Sequence, residues 1–301
     1  MNKLLCGDAI EEMSKMEDDS IDLCFFSPPY EDCRTYDIGF NLKGQEYVGW
    51  LVTVFEQAVR ITKGLTACVI QGRTRKFKWS CTPALLMADL HRAGFNVRNP
   101  PIYNRSGIPG SGGPDWLRSD YEWIVCTSKP GRLIWSANTI CGESPKWAPG
   151  GAMSHRLKNG QRINQWGGSI KKTKGQRKKD GTFGSPKRPS HQFVEIGNLP
   201  IGYTPPVKAN PGNIIHCNAG KGHMGSNLAH ENEAPFPLKL AEFFVKSFCP
   251  PDGTVLDPFC GSSTTGHACV INGRNYIGID CRQSQIKLSR KRLVQAKKEI
   301  K

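Results

Sequence analysis

Residues 27–30 read Ser-Pro-Pro-Tyr and follow directly on an apolar run, Ile21 to Phe26. A strand cannot continue through two prolines, so the tetrapeptide forms a stiff turn at the strand's end. Its groups suit one kind of chemistry. An exocyclic amine on an aromatic base is a poor nucleophile, because its lone pair is delocalised into the ring. Two acceptors aimed at its N–H bonds favour a pyramidal nitrogen whose lone pair points at an electrophile. The Ser27 hydroxyl and the Pro28 carbonyl can be those acceptors, with Pro29 stiffening the backbone and Tyr30 offering a face on which the base stacks. Such an amine is out of reach inside a duplex, so the nucleotide has to be extruded, at about a few kcal/mol, into an aromatic-walled pocket.

A second cluster lies far away in sequence. A strand, Thr254 to Leu256, leads into Asp257, Pro258, Phe259, Cys260, Gly261, Ser262, Ser263, Thr264 and Thr265, followed by a helix and a strand that ends at Asp280. A turn of small residues lets backbone approach a ligand closely, and an acid at the end of the next strand can accept hydrogen bonds from ribose hydroxyls. A dinucleotide site uses the same geometry, but the GxGxxG spacing is missing and Asp257 would repel a pyrophosphate. A carboxylate there suits a cationic ligand instead, such as the ammonium or sulfonium side of S-adenosylmethionine.

The elements that must position these clusters alternate. Leu4 to Asp8 reads as a strand, Ala9 to Met16 as a helix, and Ile21 to Phe26 as a strand. Gln45 to Ile61 carries Val48, Leu51, Val52, Phe55 and Val59 at helical spacing, and an apolar run follows from Leu65 to Ile70. Pro83 to Arg92 is a further helix, Phe95 to Tyr103 one strand and Tyr121 to Cys126 another. The pattern resumes with a helix from Leu238 to Phe248, a helix from Thr265 to Ile271, a strand from Tyr276 to Ile279 and a basic terminal helix from about Ser284. This alternation predicts an α/β sheet with helices on its faces. The Lys/Arg face of the last helix reads as a solvated one.

Between the two halves the composition changes. Gly151 to Ser190 holds eleven Lys and Arg against one acid, Asp180, with Trp166 and Phe183 as its aromatics. Too few apolar residues are present for a core, so the segment is either a basic linker or a surface that follows phosphates through Lys171, Lys172, Lys174, Arg177, Lys178, Lys179, Lys187 and Arg188. The whole chain of 301 residues carries a formal charge of +15, which points to a polyanion. No stretch reaches the roughly 18 apolar residues of a membrane span, and Met1 to Leu5 is too short for the apolar core of a signal peptide. A cytoplasmic protein without a membrane partner is expected. The twelve cysteines contain no CxxC pair and read as reduced core residues. The seven histidines lack ligand spacing, so no metal is expected.

Taken together the clusters resemble the amino-methyltransferases of DNA in the permuted order called beta, in which the catalytic half precedes the cofactor half. SPPY is similar to the family's catalytic motif and DPFCGSSTT to its cofactor loop, with Ser263 where the family usually has glycine. Asp280 matches the ribose-binding acid, Gly7 and Asp8 a GD that contacts the cofactor adenine, and Phe236 and Pro237 an FP element that encloses the methionine end. The resemblance implies a circularly permuted, Rossmann-like methyltransferase fold that uses S-adenosylmethionine and acts on double-stranded DNA. It divides the chain into a catalytic half (1–134), a basic target-recognition region (135–229) and a cofactor half (230–301). Members with Ser at the first catalytic position usually modify cytosine N4, and those with Asp adenine N6, so N4 of cytosine is the expected target and N6 of adenine the alternative. Dimers occur in the family, and members act alone or beside a restriction endonuclease, so a homodimer and a cognate restriction endonuclease are among the partners the resemblance admits.

Related pockets act on RNA or protein amides, and a non-catalytic nucleic-acid-binding module would share the charge; both stay open at this point. Methylation of cytosine C5 is excluded, because it needs a cysteine nucleophile in a Pro-Cys step and no cysteine here follows a proline.

Overall fold

A computed structural model describes residues 2–31, 40–106, 115–136, 211–218, 222–231 and 234–300, together with three short strands at 154–156, 162–164 and 193–194. The chain divides into two compact units, residues 1–137 with 212–301, and residues 138–211. In the first half of the larger unit the elements run β1 (Asn2–Cys6), α1 (Ala9–Ser14), β2 (Ile21–Phe26), α2 (Gly44–Ile61), β3 (Thr62–Ile70), the small hairpin β4 (Thr74–Arg75) and β5 (Lys78–Trp79), α3 (Thr82–Arg92), β6 (Asn96–Arg98), β7 (Ile102–Ser106) and β8 (Tyr121–Ser128). The smaller unit holds an antiparallel three-stranded sheet of β9 (Ser154–Arg156), β10 (Arg162–Asn164) and β11 (Phe193–Val194). The larger unit resumes with β12 (Ile214–Asn218), α4 (Leu238–Phe248), β13 (Thr254–Asp257), α5 (Thr264–Ile271), β14 (Asn275–Asp280) and α6 (Gln283–Glu299).

The larger unit is organised by a nine-stranded sheet in the order β1-β14-β13-β2-β3-β8-β7-β12, with β6 beside β8. From β1 to β3 every pairing is parallel, and β8 runs antiparallel to β3 and β7. Strand β2 shows why its sequence reads as an apolar run broken only by Asp22. Successive side chains alternate faces, so Leu23 and Phe25 enter the core under α4, α5 and α6 while Cys24 and Phe26 enter the core under α1, α2 and α3. With both faces covered there is no polar side to mark. Helix α2 buries Val48, Leu51, Phe55 and Ala58 on one stripe for the same reason.

One departure from the sequence reading has a clear cause, and one strand falls where no element was expected. Phe95 to Tyr103 is not one strand but two, β6 and β7, because Pro100 and Pro101 interrupt the ladder between them. Strand β12, within the span assigned from sequence to the basic region, pairs in parallel with β7 in the main sheet. The described cysteines are free thiols, and most are buried. Among the described residues no helix is long and apolar enough to cross a membrane. The eight basic residues from Lys171 to Arg188 lie outside the described residues.

The register between β2 and β3 shifts between Ile21↔Thr62 and Leu23↔Leu65, which leaves an extra residue on β3. Gly64 sits in that bulge, and a β-carbon there would stand 2.0 Å from the Asp22 carbonyl oxygen. Since the obstacle is strand backbone, it has little room to give. Gly64→Ala is therefore expected to reduce unfolding free energy by roughly 2–3 kcal/mol. Thermal unfolding followed by circular dichroism checks this, and an unchanged midpoint would contradict the clash.

Candidate active site

Three parallel strands, β14, β13 and β2, lie side by side and end on the same edge of the sheet. The loops that leave their carboxyl ends begin at Cys281, Pro258 and Ser27, and this is where open α/β sheets place ligands. A cavity of about 420 Å3 opens there, a size within the usual range for a small-molecule site. Ser27, Pro28, Pro29 and Tyr30 line it, and so do Phe236, Phe259, Gly261, Thr264 and Asp280 from the other half of the chain. Two clusters more than 200 residues apart in sequence thus share one space.

The turn of Ser27 to Tyr30 is held from outside. Tyr47 of α2 donates from its hydroxyl to the Pro29 carbonyl at 2.8 Å. The next residue after the motif, Glu31, is buried and bridges two helix starts, accepting from the Gly44 amide of α2 at 3.0 Å and from the Thr82 hydroxyl of α3 at 2.6 Å. The Tyr30 hydroxyl donates to Glu122 Oε2 of β8 at 2.8 Å, and Ser27 Oγ lies 3.5 Å from the same phenol oxygen. Glu122 Oε1 in turn accepts from Arg105 Nη1 of β7 at 3.0 Å. Burial pushes the Glu122 carboxyl above its usual range while Arg105 and Tyr30 pull it back. Burial, with Glu122 beside it, also holds the Tyr30 phenol well above its usual range, so it keeps its proton.

The loop after β13 is a sequence of backbone contacts. The Phe259 amide donates to Asp257 Oδ1 at 3.1 Å, the Cys260 amide to the Ile279 carbonyl at 2.8 Å and the Gly261 amide to Asp280 Oδ2 at 3.0 Å. Gly261 and Ser263 both have positive φ, at 48° and 58°. That conformation explains the preference for glycine at position 263 in the resemblance drawn above, since a β-carbon there costs about 1 kcal/mol or more. Here the serine hydroxyl offsets the strain by bonding to Ser289 Oγ at 2.8 Å and to the Tyr276 hydroxyl at 3.2 Å, both buried. Ser289 then donates to the Gly261 carbonyl at 2.6 Å.

Arg292 completes the loop from helix α6. It is fully buried and donates to Ser262 Oγ at 3.1 Å, to Thr264 Oγ1 at 2.8 Å and to the Met224 carbonyl at 2.5 Å. Its burial lowers the guanidinium pKa to about 10, which still leaves it charged. The terminal helix is therefore not a purely solvated basic face. One of its cations is the anchor of the loop.

The remaining residues singled out from sequence fall around this cavity rather than in it. Asp8 is exposed and caps α1, accepting from the Ile10 and Glu11 amides at 2.9 and 3.0 Å, although its neighbour Gly7 donates to the Asp280 carbonyl at 3.2 Å. Pro237 is buried at the start of α4, and Phe236 beside it packs edge-on against Phe25. Pro258, Ser262, Ser263 and Thr265 are not among the residues lining the cavity. Neither is Asp257, read from sequence as facing a cationic ligand; its carboxylate is buried and turned into the start of the loop. Both Asp280 oxygens accept backbone amides, from Gly261 and from Arg282 at 2.9 Å. A carboxylate has about four lone-pair sites, so capacity for further donors remains. Sequence reasoning gave no place to Arg105, Glu31, Gln71, Arg73, Tyr103 or Arg292, because nothing in their spacing connects them to either motif. Glu122, between Tyr121 and Trp123 on a strand near the catalytic end, reads from the sequence as either a contact of the flipped base or a structural acid, with the structural role favoured.

A model of the DNA methylase family of N6 and N4 methyltransferases matches residues 21–291. The chain belongs to that family. It is a DNA methyltransferase, and the family uses S-adenosylmethionine. The chain is 25% identical over 295 residues to the DNA adenine methyltransferase YhdJ of Escherichia coli strain K12, covering 96% of this chain and 82% of that protein. Among solved structures, the PvuII DNA methyltransferase (cytosine-N4-specific) aligns with a TM-score of 0.62 at 16% identity, covering 100% of this chain and 93% of that one. A DNA modification methylase from Thermus thermophilus, complexed with S-adenosylmethionine, aligns with a TM-score of 0.57 at 20% identity over 98% of this chain and 94% of that one. The fold is that of the S-adenosylmethionine-dependent methyltransferases, an α/β sheet in the permuted order.

The buried position of Asp257 has a consequence for stability. Burial first, and then repulsion from Asp280, raises its pKa from 3.8 to about 7. The folded state therefore holds this proton more tightly than the unfolded state. The resulting stabilisation is complete below about pH 4 and is lost as the pH rises through about 7, a change on the order of 4 kcal/mol. In Asp257→Asn this part of the pH dependence should vanish. Urea unfolding at about pH 5 and about pH 8 measures it, and parallel trends for wild type and variant would contradict the assignment.

Proposed function

We propose that this methyltransferase transfers a methyl group from S-adenosylmethionine to the exocyclic N4 amine of cytosine in double-stranded DNA, acting directly on a flipped base in the compartment that holds the DNA. The observation that carries the reading is the single cavity lined by both Ser27–Tyr30 and Gly261, Thr264 and Asp280.

The residues present suit the cofactor. Gly261 lets backbone come close, Phe236 and Phe259 supply apolar walls, and Asp280 offers acceptor sites at the end of β14. When bound, S-adenosylmethionine supplies an electrophilic methyl group on a sulfonium. The chain's own residues do the rest. Ser27 Oγ and the Pro28 carbonyl accept hydrogen bonds from the two N–H groups of the target amine and so direct its lone pair, and Tyr30 stacks against the base. Ser27 is a neutral acceptor, and the resemblance supports cytosine because family members with serine at this position usually modify cytosine N4. No metal enters the scheme. The basic segment, residues 135–229 as bounded from sequence, serves as the target-recognition region, with Lys171, Lys172, Lys174, Arg177, Lys178, Lys179, Lys187 and Arg188 following the phosphates.

Duplex DNA methylated with labelled cofactor and digested to nucleosides should yield N4-methylcytosine. Recovery of N6-methyladenine alone would overturn the choice of base, and label found only in RNA or protein would overturn the choice of polymer. Neutralising Lys171, Lys172, Lys178 and Lys179 should flatten the dependence of DNA affinity on salt by up to about 0.9 in log–log slope for each phosphate that no longer meets a cation. Titrations at several salt concentrations read this directly, and an unaltered slope would remove these lysines from the backbone.

A further inference from the structure

We propose that Glu122 sets the direction of the hydrogen bonds around Ser27, so that the serine presents lone pairs and not its proton to the target amine. The inference rests on the reading of Ser27 as an acceptor given above. It adds a positioning residue on a strand outside both motifs.

A serine hydroxyl can donate or accept, and an amine pointing its N–H bonds at the oxygen needs an acceptor. Something must therefore take the serine's own proton elsewhere. The nearest described partner is the Tyr30 phenol oxygen at 3.5 Å. That oxygen can accept only if its own proton is already directed away. Among the described residues two acceptors face it, the Glu122 carboxylate at 2.8 Å and the Val69 carbonyl at 3.5 Å, and the shorter, charged one prevails. An ionised carboxylate cannot donate, so the chain has one direction, from Ser27 to Tyr30 to Glu122. Arg105 fixes the other carboxylate oxygen at 3.0 Å and favours the charged form, and it is itself held by the Ser119 carbonyl at 2.9 Å. Ser27, Tyr30, Glu122 and Arg105 all line the cavity. Their alignment comes from the register of β7 and β8, which sets Tyr103 opposite Glu122 and brings Arg105 alongside.

Arg105 also makes the obvious substitution informative. In Glu122→Gln the guanidinium can bond only to the amide oxygen, which leaves the NH2 group facing Tyr30. The amide then donates to the phenol oxygen, and the phenol proton turns toward Ser27 or Val69. The chain is reversed without loss of volume. Tyr30→Phe removes the central hydroxyl and leaves the Glu122–Arg105 pair intact.

The test is a set of cycles with Ser27→Ala, measuring single-turnover methylation of duplex DNA and, by calorimetry, the dissociation constant for S-adenosylmethionine. We expect Glu122→Gln and Tyr30→Phe each to slow methylation by roughly ten-fold or more with cofactor affinity unchanged. In the Ser27→Ala background the same substitutions should change the rate by less than about two-fold, since both act through one hydroxyl. Losses that multiply in the double variants would overturn the inference, as would a wild-type rate in Glu122→Gln. A variant that also loses cofactor binding would indicate general disruption and count against a directed role. Should Ser27→Ala itself keep the wild-type rate, the acceptor reading of Ser27 fails and this inference fails with it. That result is distinct from a slow Ser27→Ala paired with a fully active Glu122→Gln.

Discussion

The pairing of β13 with β2 is the contact on which the rest of the site depends. Only Val255↔Leu23 and Leu256↔Cys24 register the two strands. Yet this short ladder joins the half of the chain that carries SPPY to the half that carries the glycine–serine loop. Asp22 reinforces it at the base, accepting from the Thr254 amide at 2.8 Å and pairing with Lys63 of β3 at 3.0 Å. A one-residue slip would move every side chain of β2 to the opposite face. It would also carry Ser27 away from the loop after β13. Because Leu23 and Phe25 fill one core and Cys24 and Phe26 the other, neither face tolerates such a shift.

The loop that meets this strand is held in a conformation the sequence alone disfavours. Two left-handed residues, one of them serine, bend it back toward β14. What sustains the bend is helix α6, through the Ser289 hydroxyl and the Arg292 guanidinium. A buried arginine is costly unless its donors are satisfied. Here they are spent on Ser262, Thr264 and Met224, so the cation ties the cavity's floor to the segment that precedes Phe236. Helix α6 is thus a brace for the loop as much as a cover for the sheet.

The strands and helices that flank the motifs could be read from the chain because each leaves a periodic trace. Strand β2 shows an apolar run, Leu23 to Phe26, ended by prolines, α2 an apolar stripe, and α4 the same pattern from Leu238 to Phe248. The two motifs declared themselves through residue types that have few other uses at such spacing. Polar groups buried by tertiary contact left no such trace. Arg292 sits among exposed lysines and arginines, and Glu31 looks like any acid after a turn. Glu122 and Arg105 become neighbours only through the antiparallel register of β7 and β8. Asp257 was assigned a ligand-facing role from its charge. At the buried end of β13 its carboxylate accepts from the Phe259 amide of the loop.

Strand β1 pairs in parallel with β14 along its whole length, and α6 packs against that same strand. Strand β1 and helix α6 are therefore spatial neighbours. Covalently bridging them and severing the chain between the two motif-bearing halves would invert their order in the gene while preserving every strand-to-strand adjacency. What the chemistry constrains is the lateral sequence of strands across the sheet; the order of the codons that encode them is free to rotate.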